Sequence, residues 1–125
     1  GWYGPTISQN DVRSLNSNAL PFVVSNACLT GNYMSGESFS ETWQRHPSGA
    51  IVFWGSTTYT YWDEDDILEK RMFDNIFKDK EKNFGKITNF ALAEGWKYYA
   101  GEGKSQYYWE AYHIFGDPSL NLVID

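Results

Sequence analysis

Three groups of side chains in this sequence carry chemistry beyond packing: the single cysteine Cys28, the two histidines His46 and His113, and the acidic run Asp63-Glu64-Asp65-Asp66. A thiolate is a strong nucleophile, but it needs a base to form it and donors to hold the oxyanion it creates. Cys28 lies in Pro21–Asn32, PFVVSNACLTGN, where the apolar run Phe22-Val23-Val24 gives way to the loop-forming groups Ser25-Asn26-Ala27-Cys28 and Thr30-Gly31-Asn32. The run reads as a strand buried on both faces, as in a parallel sheet. The thiol then falls just past the carboxyl end of a central strand, the edge at which open α/β sheets bind ligands. The competing reading is a packed thiol, since free cysteines are among the most buried residue types. Composition leaves both open.

Neither histidine is placed by its neighbours to be the base. His46 follows a helix and precedes Pro47, which reads as a surface cap where a cation is favoured. His113, in Tyr112-His113-Ile114-Phe115, reads as packed or half exposed. Clustered carboxylates at 63–66 suit a hard cation, so a structural calcium is the one cofactor the pattern admits. Their spacing is not that of an EF-hand, and a helix N-terminus favours acids in any case. Trp2, Tyr3, Tyr59 and Tyr61 also allow a surface that stacks on sugar. The chain would then be a carbohydrate- or protein-binding module with a structural Cys28.

The elements that position these groups follow from pattern. Ser8 with Asp11 three residues on is close to a capping box and starts a short helix over 8–17. The strand Phe22–Val24 follows at once. Glu37–Arg45 is a helix with Phe39 and Trp43 on one face, and Ala50–Trp54 is a second buried strand. Gly55–Trp62 is a loop. Asp63–Lys78 is the longest helix, with Ile67, Phe73, Ile76 and Phe77 for apolar contacts. Lys86–Tyr99 is another, packing through Phe90, Ala91, Ala93 and Trp96. Trp109–His113 forms a last helical turn and Leu120–Ile124 a last strand. Alternating helices and buried strands give an α/β fold with a parallel sheet.

Composition sets the bounds. At 125 residues the chain is one domain, and its 42% apolar content with 18% aromatics argues against disorder. A net charge of −6 argues against a nucleic-acid partner. One cysteine makes no internal disulfide. No stretch is apolar for long enough to cross a bilayer, and no signal peptide begins the chain. A start at Gly1 reads as a processed product or a piece of something longer.

Asn26-Ala27-Cys28-Leu29-Thr30-Gly31-Asn32-Tyr33 resembles the nucleophile segment of the gingipain-type cysteine peptidases. Phe39-Ser40-Glu41, Gly49-Ala50-Ile51-Val52-Phe53-Trp54-Gly55-Ser56-Thr57 with Trp62, and Phe115-Gly116-Asp117-Pro118-Ser119-Leu120 resemble the family in the same order. The resemblance implies a caspase-like three-layer sandwich that is incomplete at its N-terminal side, so residues 1–125 are a single partial domain. It implies a cysteine endopeptidase fragment with Cys28 as nucleophile, and a secreted or cell-surface setting. Trp62 matches an aromatic beside the pocket for the residue preceding the cut, with Ser56 and Thr57 on the pocket floor; core packing is the other reading of Trp62. The family's histidine stands in a His-Gly pair upstream of the cysteine. No such pair occurs here, so the base belongs to a missing upstream part and this piece alone is inactive. A catalytically dead relative is the remaining alternative. The partners implied are a peptide or protein substrate and the upstream part of the same domain. A homodimer through the exposed edge of Phe22–Val24 is also expected, unless the Gly1–Ile7 arm covers that edge.

Overall fold

The computed structural model describes residues 1–124. Its elements run α1 (Gln9–Arg13), β1 (Phe22–Ser25), α2 (Phe39–Arg45), β2 (Val52–Ser56), α3 (Trp62–Phe77), α4 (Phe84–Tyr98), α5 (Ser105–Ala111) and β3 (Tyr112–Gly116). The sheet order is β1-β2-β3. β1 and β2 are parallel with Phe22 opposite Val52, and β2 and β3 are antiparallel with Val52 opposite Gly116.

Every residue of β2 is buried because helices cover both faces of the sheet. Phe53 points into one layer with Val12 of α1, Phe39 and Trp43 of α2, and Val23. Val52 and Trp54 point the other way, onto Leu68, Met72 and Ile76 of α3 and Ile87, Ala91 and Leu92 of α4. The alternation of β2 thus divides two cores, and the α/β three-layer architecture follows.

The Ser8 cap acts as expected, and Ser38, which the sequence reading did not single out, caps α2 so that it starts at Phe39 and not at Glu37. Ser8 with Asp11, and Ser38 with Glu41, form reciprocal capping boxes that start α1 and α2. α1 stops at Arg13, not at 17, because Val12 is its one buried residue and Leu15 stays exposed. The second strand runs two residues later than Ala50–Trp54. The Ala50 N–H is taken by the Trp43 carbonyl at 2.9 Å, which makes Ala50 part of the exit turn of α2.

In α3, Leu68, Met72 and Ile76 form the buried stripe. Phe73 and Phe77, expected as packing residues, are exposed and stack on each other at 5.9 Å. α4 buries Phe84, Ile87, Thr88, Ala91 and Leu92, while Trp96 is exposed. The last strand is Tyr112–Gly116 in place of Leu120–Ile124, and it makes the sheet mixed. Residues 120–122 instead lie against the start of α4, where the Phe84 N–H meets the Leu120 carbonyl at 2.9 Å.

β1 was expected to be covered on both faces, yet Phe22 and Val24 are only half-buried. Among the described residues β1 pairs with β2 alone and forms one edge of the sheet. The Gly1–Ile7 arm pairs with itself through Trp2 and Ile7. Its indole N–H reaches the Ser25 hydroxyl at 2.8 Å, a side-chain contact that leaves the β1 backbone edge uncovered. No helix among the described residues is long and apolar enough to cross a membrane.

Candidate active site

The chain leaves β1 at Ser25 and turns at once. Leu29 adopts φ +60°, a left-handed conformation that disfavours a branched side chain by about 1–2 kcal/mol. The turn is held from outside: the Leu29 N–H donates to the Thr58 carbonyl at 3.0 Å and the Gly31 N–H to the Ser56 carbonyl at 2.8 Å. The buried Thr30 hydroxyl closes the turn on the Ala27 carbonyl at 3.1 Å. Backbone strain persists only where surrounding contacts fix it, and such places cluster at functional sites. The outcome is an exposed Cys28 at the carboxyl end of β1.

A cleft of about 530 Å³ opens beside it, lined by Trp2, Tyr3, Asn26, Ala27, Cys28, Leu29, Tyr59, Thr60, Trp62 and Asp65 among others. The sulfur is held by Thr60. The Thr60 N–H donates to it at 3.3 Å, the Thr60 carbonyl accepts from it at 3.4 Å, and the Thr60 hydroxyl lies 3.6 Å away. Trp62, at the first position of α3, is 92% exposed and forms part of the cleft wall. Core packing is therefore not its role.

Ser56 and Thr57 do not line the cleft. Ser56 is the last residue of β2 and fully buried, with its hydroxyl donating to the Thr58 carbonyl at 2.9 Å. Thr57 is tied to the end of α5, its N–H and hydroxyl both reaching the Ala111 carbonyl at 2.8 and 3.1 Å. Both hold the strand-end turn that receives the Cys28 loop. Neither histidine lines the cleft either. His46 caps α2, its Nδ1 accepting from the Ser48 N–H at 3.2 Å. His113 sits in β3 opposite Gly55, with Nε2 3.0 Å from the Glu110 carbonyl and its ring against Tyr33.

The acidic run is divided among separate tasks. Asp66 pairs with Lys70 at 2.6 Å and Glu64 with Lys104 at 3.6 Å. Asp65 is 8% exposed and accepts the Tyr112 hydroxyl at 2.6 Å. Among the described residues no group of three or more His, Cys, Asp or Glu side chains converges as metal ligands. Burial pushes the Asp65 carboxyl above the usual range, opposed by hydroxyls of Tyr112, Thr60 and Tyr108. Burial and the Asp65 charge push the Tyr112 phenol far up, so it remains a donor at all ordinary pH. Thr60 beside the sulfur and Tyr112 against Asp65 are the residues of this region that sequence reading did not single out, and Asp65 was read only as one of the acidic run. Residue type carried no signal for them, because an acid at a helix start and a threonine in a loop are commonplace.

No curated protein sequence matches the chain closely. Among solved structures it resembles the Arg-specific cysteine proteinase gingipain R (RgpB), at 26% identity and TM-score 0.82 over 91% of this chain and 28% of that one. It also resembles the Porphyromonas gingivalis RgpB complex of pro- and mature domains, at 25% identity and TM-score 0.78 over 90% of this chain and 29% of that one. A third structure, described as a protease, shares the fold at 22% identity and TM-score 0.88 over 96% of this chain and 32% of that one. The chain therefore spans less than a third of the length of each structure it matches. The family model described as Peptidase family C25 matches residues 1–123, and the chain belongs to that family.

Proposed function

We propose that this chain supplies the nucleophile and one wall of the substrate cleft of a secreted or cell-surface cysteine endopeptidase. The single observation that carries the reading is the exposed Cys28, turned into the cleft by a strained and externally braced loop at a strand end. Cys28 as thiolate attacks the carbonyl carbon of a peptide bond. The Cys28 N–H is a donor for the resulting oxyanion, since that of Leu29 is already committed to Thr58. Trp62, Tyr59 and Tyr3 offer exposed aromatic faces for the substrate chain. Expulsion of the amine leaves a thioester on Cys28, and water then releases the acid and restores the thiol.

The base and acid of this cycle is a histidine outside residues 1–125, because neither His46 nor His113 borders the cleft. The reaction needs no metal or cofactor. The upstream part of the same protein pairs with the β1 edge, and without it these 125 residues turn over no peptide and associate as a homodimer through that edge. A panel of fluorogenic peptides tests the enzyme reading on the full-length protein. Turnover that vanishes in Cys28→Ala supports it, and turnover that survives removes Cys28 from the chemistry. Light scattering on residues 1–125 alone tests the edge, where a monomer at high concentration would refute the homodimer.

A further inference from the structure

The cleft wall beside Cys28 belongs to neither sheet nor helix. Residues 57–61 join the end of β2 to the start of α3 without a strand ladder, yet Tyr59 and Thr60 line the cleft and lead directly into Trp62. Backbone N–H and C=O groups held away from water need partners. Here side chains supply most of them. The Thr60 N–H donates to the Cys28 sulfur at 3.3 Å, and the Thr60 carbonyl accepts the S–H at 3.4 Å.

The rest come from α5. The Tyr107 hydroxyl donates to the Tyr59 carbonyl at 2.8 Å and lies 3.1 Å from the Thr58 hydroxyl. The Tyr108 hydroxyl accepts from the Tyr61 N–H at 2.7 Å and donates to the Tyr61 carbonyl at 3.1 Å. One hydroxyl serves both groups because Tyr61 is extended, at φ −134° and ψ 141°. In an extended residue the N–H and carbonyl point to the same edge, while those of the next residue point to the other. Tyr108 thus does for Tyr61 what a neighbouring strand would do, and Cys28 does the same for Thr60. Tyr108 is otherwise a core residue, 4% exposed, where a phenylalanine would pack as well. Its hydroxyl is the part that packing does not require.

We propose that Tyr107 and Tyr108 are positioning residues of the cleft, which set where the wall carrying Tyr59 and Trp62 stands relative to the Cys28 sulfur. A thiol is a weak donor and a weak acceptor, so its two bonds to Thr60 do not fix the segment by themselves. The phenol bonds are shorter and come from a helix packed into the core. They decide where residues 59–61 lie. A substrate resting on a displaced wall would hold its carbonyl away from attack distance, and rate falls steeply with such misplacement. The proposal rests on Cys28 being the nucleophile.

The test is Tyr108→Phe in the full-length protein, which keeps the ring and removes both bonds to Tyr61. Amide hydrogen exchange, read by mass spectrometry on overlapping fragments, should quicken about tenfold at residues 59–61 and stay unchanged over Val52–Ser56. The same loss of protection in both stretches would make the hydroxyl a general stabiliser and overturn the proposal, as would unchanged exchange in both. Per folded molecule, kcat for a fluorogenic peptide should fall about tenfold while KM moves less than about twofold, because the aromatic faces remain but stand in the wrong place. A loss confined to KM would reduce the wall to a binding surface and overturn the positioning role. Tyr107→Phe, at a half-buried position, guards against a Tyr108 variant that fails to fold. It should show the same pattern at about threefold, and an unmoved kcat in either variant overturns the proposal. Exchange needs no turnover, so peptide cleavage that survives Cys28→Ala would sink the nucleophile reading while the exchange result still stands.

Discussion

Gly55→Ala should damage the fold and the cysteine loop together. Gly55 lies within β2, whose residues are all buried. A Cβ there would stand 2.7 Å from Phe53 Cε1 and 2.8 Å from Thr30 Oγ1. The Phe53 ring cannot swing away, because it is fully buried and edge-on to Phe39 and Phe115 at 6.1 and 6.4 Å. Thr30 must therefore yield, and its hydroxyl is what holds the Ala27 carbonyl beside Cys28. Overpacking costs about 1–3 kcal/mol, and loss of that hydrogen bond about 1 kcal/mol more. A total of about 2–4 kcal/mol, with a urea m-value of about 1–3 kcal/mol/M, lowers the unfolding midpoint by roughly 1–2 M. Gly95→Ala is the matched control. Its Cβ meets only Leu68 Cγ at 3.9 Å inside α4, so it should stabilise by about 0.5–1 kcal/mol. Urea unfolding followed by tryptophan fluorescence, together with Cys28 alkylation rates, measures both effects. A Gly55→Ala protein within about 0.5 kcal/mol of the parent, with unchanged alkylation, would refute the account of how β2 braces the loop.

Trp62→Ala should leave stability within about 0.5 kcal/mol, since the side chain is 92% exposed, yet lower peptide turnover by the full-length protein about tenfold. Equal turnover would remove Trp62 from the binding wall. Met72→Ala empties a fully buried site between α3 and α4 and should cost about 2–5 kcal/mol in urea unfolding. A smaller loss would mean the two helices collapse onto the gap. The capping carboxylates Asp11 and Glu41 are held below their ordinary range, first by bonds from the Ser8 side chain and the Ser38 N–H respectively. Their stabilisation is present above the unfolded carboxylate value of about 4 and is lost as pH falls through the lower folded values. Asp65, held above that range, acts in the opposite sense and weakens the fold as pH rises through its folded value. Urea midpoints between pH 2 and 6 should thus rise less steeply at the acid end in Asp11→Asn/Glu41→Gln, and an unchanged slope would contradict the capping roles.

The strongest local signals in the sequence were legible. The capping residue Ser8 sits where a helix start needs it, and the apolar run Phe22–Val24 gives way to loop residues that bring Cys28 to a strand end. Periodicity misled where tertiary burial chose the face. In α3 the stripe Leu68-Met72-Ile76 was buried over Phe73-Phe77, because it faces α4 across the core. The helix α5 hid β3, since the turn read over Trp109–His113 took in Tyr112 and His113, the first two residues of the strand beside β2. The cleft depended on contacts distant in sequence. Thr60 meets Cys28 and Asp65 meets Tyr112 across 32 and 47 residues, and no spacing rule reaches that far.

The most direct test of the central claim is covalent titration of the full-length protein with a peptidyl halomethyl ketone, following loss of peptide turnover and the site of the adduct together. The account predicts one adduct, on Cys28, growing in step with the loss of turnover. Turnover abolished while Cys28 stays unmodified, or Cys28 fully modified while turnover continues, would contradict it.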